Sequence, residues 1–134
     1  MNYLPEDEAC KLFEEAKAAA AHTYSPYSHF PVGAAVLTAD GAIFRGANVE
    51  NASYSVTICA ERTALGYAIS AGNTGIKAIA VYSNTDSISP CGACRQFIIE
   101  FGKDVIVIFK NEQKLIQRTI QELLPFEFTK ASME

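Results

Sequence analysis

The sequence predicts an α/β fold, a three-layer α/β/α sandwich on a mixed five-stranded sheet. Three observations carry that expectation. An amphipathic helical row near the start is followed by two strand-like runs around a tight turn; helical and strand patterns then alternate, as crossover connections require; and the late run V-I-V-I-F, residues 105–109, has no polar alternation, so that strand is expected to be covered on both faces. With 134 residues, 49% of them hydrophobic, the chain is long enough for one domain, residues 1–134, with a full core, and too short for a second.

Each element has its own signal. Pro5 followed by Glu6, Asp7 and Glu8 is an acidic helix start, and Ala9, Leu12, Phe13, Ala16 and Ala20 mark one helical face that ends near His22. Residues 25–31, S-P-Y-S-H-F-P, form an aromatic-rich loop, since each of two prolines disfavours helix at the residue before it. Residues 32–37 and 42–49 flank Ala39-Asp40-Gly41 and read as a β-hairpin. A helix entered at Cys59 is expected to run to about Ala71, before Gly72. Residues 78–82 then read as a short buried strand, 91–101 as a helix and 105–109 as a strand. A final short strand near Arg118 and a turn of helix at 122–124 complete the pattern. There are no repeats, linkers or low-complexity stretches.

Composition narrows the function. A net charge of -4 without any Lys/Arg run argues against nucleic acid, because phosphate neutralisation needs a basic stripe, and the expected partner is small and neutral. The opening M-N-Y-L-P-E-D-E lacks a charged-then-apolar signal pattern, and no apolar run nears the ~20 residues that span a bilayer. A cytoplasmic location without membrane association is therefore expected, and in that compartment four cysteines point to metal or redox chemistry rather than disulfides.

Cys59, Cys91 and Cys94 stand in C-A-E-R and P-C-G-A-C-R and offer a three-thiolate zinc site with one carboxylate, Glu61, beside it. Cys91 and Cys94, three apart at a helix opening after Pro90, can share one ion. Cys59 and Glu61, two apart, reach one site only if Cys59 stands at the irregular start of its helix. Helix N-termini also favour thiolates. Three protein ligands leave a position open, and open zinc sites activate water. A glutamate on a helix is ordinarily just solvated; Cys59 two residues earlier gives Glu61 the role of proton carrier. Because three thiolates leave the site net negative, a cation must withdraw charge, and Arg62 and Arg95 are the available ones. For Arg95 a surface ion pair stands as an equal alternative.

The strings S-P-Y-S-H-F-P-V-G-A-A, N-V-E-N-A-S-Y, C-A-E-R-T-A-L and S-P-C-G-A-C-R-Q, with L-L-P-F-E-F at the end, occur in one order and spacing. In these the chain resembles the zinc-dependent cytidine deaminases of the small, all-cysteine-ligand, homotetrameric type. The resemblance implies Zn²⁺ on Cys59, Cys91 and Cys94, Glu61 as catalytic acid and base, and Arg62 hydrogen-bonded to ligand sulfur. It implies Phe30 against the pyrimidine, Asn48 and Glu50 on the sugar 3′-hydroxyl, and the Ala60 backbone at the base edge. Ala52, Tyr54 and the closing aromatic Phe128 are implied to serve sites shared between subunits. The reaction implied is hydrolytic deamination of cytidine and deoxycytidine, in pyrimidine salvage. Phe126 departs from the pattern, standing where a small residue is common, so an altered pocket lip is expected.

Three other readings compete. A blasticidin-type deaminase shares the ligand motifs, but N-V-E-N-A-S-Y favours nucleosides. A thiol–disulfide redox protein would use P-C-G-A-C and leave Cys59 and Glu61 unexplained. A structural zinc module would need Cys10 as a fourth ligand, whereas a free cysteine is usually a small buried hydrophobe. His22 and His29 have no partner at metal-ligand spacing.

Overall fold

Helix α1 (Glu6–Ala20) opens with three acidic residues in its first turn, where the helix dipole favours negative charge, and buries Ala9, Leu12, Phe13, Ala16, Ala19 and Ala20 along one stripe. Its first buried positions are those that the helical spacing marks out. The computed structural model describes residues 3–134. Strands β1 (Val32–Thr38) and β2 (Ile43–Ala47) form the expected hairpin. Helix α2 (Ala60–Ser70), strand β3 (Ile76–Ser83), helix α3 (Gly92–Ile99), strand β4 (Ile106–Asn111), strand β5 (Lys114–Thr119) and the short helix α4 (Ile120–Leu123) complete the order.

The sheet runs β2-β1-β3-β4-β5, with β3 and β4 parallel and the other neighbours antiparallel. It is the expected mixed five-stranded sheet. Alternate residues of β1 face opposite layers: Ala34 and Val36 join the core under α2, α3 and α4, while Ala35 joins the core under α1. The buried run Val107, Ile108, Phe109 feeds both, which is why it shows no polar alternation.

Two glycines let the helices approach the sheet. A Cβ on Gly33 would stand 2.0 Å from the Ala16 carbonyl oxygen of α1, and one on Gly46 would stand 2.4 Å from the Ala64 nitrogen of α2. The β4–β5 hairpin turns through Glu112 and Gln113, both at positive φ (51° and 69°), the two-residue geometry usually filled by Asn-Gly.

The second strand stops earlier than the expected residue 49. The Asn48 N–H still donates to the Val32 carbonyl of β1 at 3.2 Å, but Val49 then exchanges backbone hydrogen bonds with Ile58, both at 2.9 Å, while Glu50 N–H donates to the Tyr24 carbonyl. This cross-brace draws residues 24–31, 48–50 and 57–58 together at the entrance to α2. Helix α3 also ends before the expected Phe101, closing ahead of Gly102, whose φ of 133° no helix accommodates.

Candidate functional site

Cys59 is the N-cap of α2 and Cys91 the N-cap of α3, each in extended conformation (φ -70°, ψ 154° and φ -68°, ψ 171°). The non-helical start is what lets Cys59 and Glu61 reach one site despite their spacing of two. Each cap carbonyl accepts the first helical hydrogen bond, from Thr63 at 3.0 Å and Arg95 at 2.9 Å. Cys94 lies one turn into α3 and is fully buried. The three sulfurs lie within 4.8 Å of one another, and among the described residues no other group of three or more His, Cys, Asp or Glu converges in this way. The four cysteines are all free thiols.

Electrostatics at the cluster follow from its closeness. Donation from the Cys94 thiol, helped by the Arg62 guanidinium, holds Cys59 down to about 5 against the opposing effect of burial. Cys94 is pushed far up, because it keeps the proton it shares with Cys59 and because it is buried. A divalent cation displaces such protons, and three soft thiolates at two helix N-termini suit zinc. Arg62 Nη2 lies 3.7 Å from Cys59 Sγ and 3.2 Å from the Thr57 carbonyl oxygen, while its buried Nε–H has no hydrogen-bond partner among the described residues. The guanidinium thus faces sulfur rather than a carboxylate.

Glu61 is 5% exposed, and burial, with the Cys59 charge next to it, pushes its carboxyl above the usual range. A cavity of about 200 Å³ is lined by Val32, Asn48, Thr57, Cys59, Ala60, Glu61, Ile88, Ser89 and Cys91. An outer chamber of about 350 Å³, sharing Thr57, is lined by Tyr27, Ser28, Glu50 and Tyr54. The arrangement sets three cysteine sulfurs that could hold a metal ion, and the buried Glu61 carboxyl, at a small recess that shares Thr57 with a second chamber.

The remaining expected residues separate. Asn48 is buried; its Oδ1 accepts from Val32 N–H at 3.1 Å and from the Thr23 hydroxyl, and its Nδ2 donates to the Phe30 carbonyl at 2.9 Å. Glu50 Oε1 accepts from the Tyr27 and Ser28 amides, both at 3.0 Å, and Oε2 accepts from the Ser28 hydroxyl. Those bonds, the Ser28 hydroxyl first, hold its carboxyl below the usual range. Both side chains therefore fix the aromatic loop. Tyr54 stands 73% exposed, edge-on to Tyr27 at 6.0 Å between ring centres. Phe30, Ala52 and Phe128 line neither chamber, and Phe126 is wholly exposed at φ 57°.

Two expectations are corrected. Among the described residues Arg95 has neither a sulfur nor a carboxylate partner: its fork donates to the Pro90 and Leu123 carbonyls and to Ser89 Oγ. Cys10 is exposed on α1, not buried, because it sits one position off the Ala9/Phe13 row, and it is not in the sulfur cluster. Thr57, Tyr27, Ser28, Ile88 and Ser89 also line the two chambers, and their only signal in the sequence is adjacency to the Pro26/Pro31 loop and the two cysteine motifs.

Residues 6–110 match the family model described as the cytidine and deoxycytidylate deaminase zinc-binding region. A cytidine deaminase from Halalkalibacterium halodurans is 50% identical over 125 residues, 91% of this chain and 95% of that one. The 1.6 Å crystal structure of cytidine deaminase from Burkholderia pseudomallei superposes with a TM-score of 0.84 at 47% identity, covering 93% of this chain and 100% of the other. A blasticidin-S deaminase from Bacillus cereus is 34% identical over 108 residues, 74% of this chain and 77% of that protein.

Proposed function

Because the chain belongs to the cytidine and deoxycytidylate deaminase family, we propose that it is a zinc-dependent hydrolase converting cytidine and deoxycytidine to uridine and deoxyuridine with release of ammonia. The observation that carries this reading is a small cavity lined by Cys59, Cys91 and the buried Glu61, with the buried Cys94 completing a cluster of three sulfurs within 4.8 Å of one another. Zinc on Cys59, Cys91 and Cys94 supplies an open Lewis-acid position at which water becomes acidic enough to react near neutral pH. Glu61 would take the first proton of the attacking water and pass it to ring N3, then take the second from the new C4 hydroxyl and pass it to the amino group, so that the C4–N bond breaks, the C4 carbonyl forms and ammonia leaves. Its burial supports that role, since a carboxyl of raised proton affinity holds a proton long enough to pass it on. Arg62, beside Cys59 Sγ, draws charge from the thiolates.

Substrate residues follow the same reading. Ala60, lining the inner cavity, presents its backbone to the base edge; the place of Phe30 against the pyrimidine rests on the family resemblance, since Phe30 stands on the loop beside the chambers and lines neither. Asn48 retains one Nδ2 hydrogen beyond its loop contacts for the sugar hydroxyl, with Glu50 beside it in the anteroom. The enzyme works in the cytoplasm as a homotetramer serving pyrimidine salvage, with Ala52, Tyr54 and Phe128 reaching neighbouring sites. Support for assembly comes from the exposure of Tyr54, Val56, Ile58 and Phe128, apolar surface that association would cover. The test is loss of cytidine absorbance with purified protein, alongside metal analysis. One zinc per chain and steady deamination are expected; a metal-replete protein that leaves cytidine and deoxycytidine intact overturns the reading.

A further inference from the structure

Arg95 gathers three acceptors from two separate stretches of chain. Its Nε donates to the Pro90 carbonyl at 2.8 Å, its Nη1 to the Leu123 carbonyl at 2.8 Å, and its Nη2 to Ser89 Oγ at 3.2 Å. Pro90 directly precedes the cap residue Cys91, and Ser89 and Cys91 both line the inner cavity. Leu123 ends α4 and begins the segment that leads to Phe128. No carboxylate pairs with Arg95 among the described residues, whose ion pairs are Arg45–Glu15 and Lys103–Glu127. The charge is spent on carbonyl oxygens, one of them at a helix C-terminus where cations are favoured. A planar fork with fixed donor directions makes three such bonds at once; an ammonium on a flexible stem does not.

We propose that Arg95 is a positioning residue that sets the turn of Ser89, Pro90 and Cys91 against the C-terminal segment, so that metal retention and substrate binding depend on one guanidinium. The inference rests on the reading of Cys59, Cys91 and Cys94 as the zinc site. Two neighbouring contacts hold the C-terminal segment without touching the turn: Gln96 Nε2 donates to the Phe128 carbonyl at 2.8 Å, and Lys103 pairs with Glu127 at 3.5 Å. They supply the control. Losing Gln96 loosens the segment alone, whereas losing Arg95 loosens the segment and the metal-binding turn together.

The experiment compares zinc-loaded wild type, Arg95→Gln, Arg95→Lys and Gln96→Ala. It measures the rate of zinc transfer to a chromophoric chelator, KM and kcat for cytidine, and Tm. Arg95→Gln is expected to release zinc about tenfold faster or more, the lower end of what loss of a partner behind a metal ligand costs, and to raise KM. Arg95→Lys should fall between it and wild type, and Gln96→Ala should raise KM while releasing zinc at the wild-type rate. Wild-type zinc release by Arg95→Gln overturns the inference, as does equal acceleration by Gln96→Ala, which would mark general loosening. If Arg95→Gln does not fold, Ser89→Ala and Arg95→Lys carry the test, and wild-type zinc release and KM in both overturn it. A wild type that binds no zinc defeats the metal-site reading itself; a zinc-bound wild type with an unmoved Arg95→Gln defeats this inference alone.

Discussion

Replacing Gly46 by alanine puts a methyl group where β2 and α2 meet backbone to backbone. The added Cβ would lie 2.4 Å from the Ala64 nitrogen, 2.8 Å from its Cα and 3.0 Å from the Ala60 carbonyl oxygen. None of these atoms belongs to a flexible side chain, so the helix itself must retreat by about 1 Å to restore ordinary contact at 3.4 Å. Overpacking of this kind costs about 1–3 kcal/mol. For a chain of this size that lowers Tm by roughly 4–12 °C. The functional effect is larger than the stability effect. Ala60 lies between Cys59 and Glu61, so retreat of α2 carries both away from Cys91 and Cys94 on α3, and a misplacement of about 1 Å can cost 100-fold in rate. Cytidine turnover and Tm of Gly46→Ala should be measured beside Gly66→Ala, on the same helix, where an added Cβ meets nothing within 4 Å. Gly66→Ala should keep wild-type turnover and gain about 0.5–1 kcal/mol, as a mid-helix glycine replaced by alanine does. If Gly46→Ala turns over cytidine at the wild-type rate with an unchanged Tm, the claim that this contact sets the site geometry is refuted.

Glu61→Gln should fold, keep one zinc per chain and lose about 10⁴-fold in kcat, or about 5 kcal/mol of barrier lowering; near-wild-type turnover would remove the proton carrier from the mechanism. Cys10→Ala should carry full zinc by metal analysis, because Cys10 lies outside the sulfur cluster, and loss of zinc would bring back the four-ligand structural module. Glu112→Asn with Gln113→Gly should raise stability by about 1 kcal/mol in denaturant titration, since both positions have positive φ; an unchanged midpoint would mean the turn holds no strain. Mixing Glu61→Gln with Phe128→Ala under subunit-exchanging conditions should restore activity through sites built from one intact copy of each, and a fully active monomer at nanomolar concentration would end the shared-site model.

The helices and the clustering of three cysteines are legible in the sequence because both leave periodic or spaced signals. Cys91 and Cys94 announce themselves by spacing, and Cys59 by the requirement that it cap its helix; both caps are present. Polar residues that work through tertiary contacts left no such signal. Nothing local to Arg95 says that its acceptors are 28 residues away at Leu123 as well as next door at Pro90. The cross-brace at Val49 is invisible for the same reason: residues 42–49 read as one continuous strand, and only the approach of Ile58 and Tyr24 makes the chain change partners after Asn48. Cys10 shows the opposite error, in which a general preference for buried thiols outweighed a helical register that already placed it off the apolar row.

The division of the sheet into two unlike faces has a practical side. Helix α1 covers one face alone, while the cysteine caps of α2 and α3 lie with the core on the other, and Cys10 points outward from α1. With zinc on its three thiolates, Cys10 is the thiol left to an alkylating reagent, so thiol titration should count one per loaded chain and four per unfolded, metal-stripped chain. A dye or spin label attached there would sit on the far side of the sheet from the substrate recess. The molecule thus carries its own occupancy gauge and a ready attachment point, both created by a residue that the chemistry leaves unused.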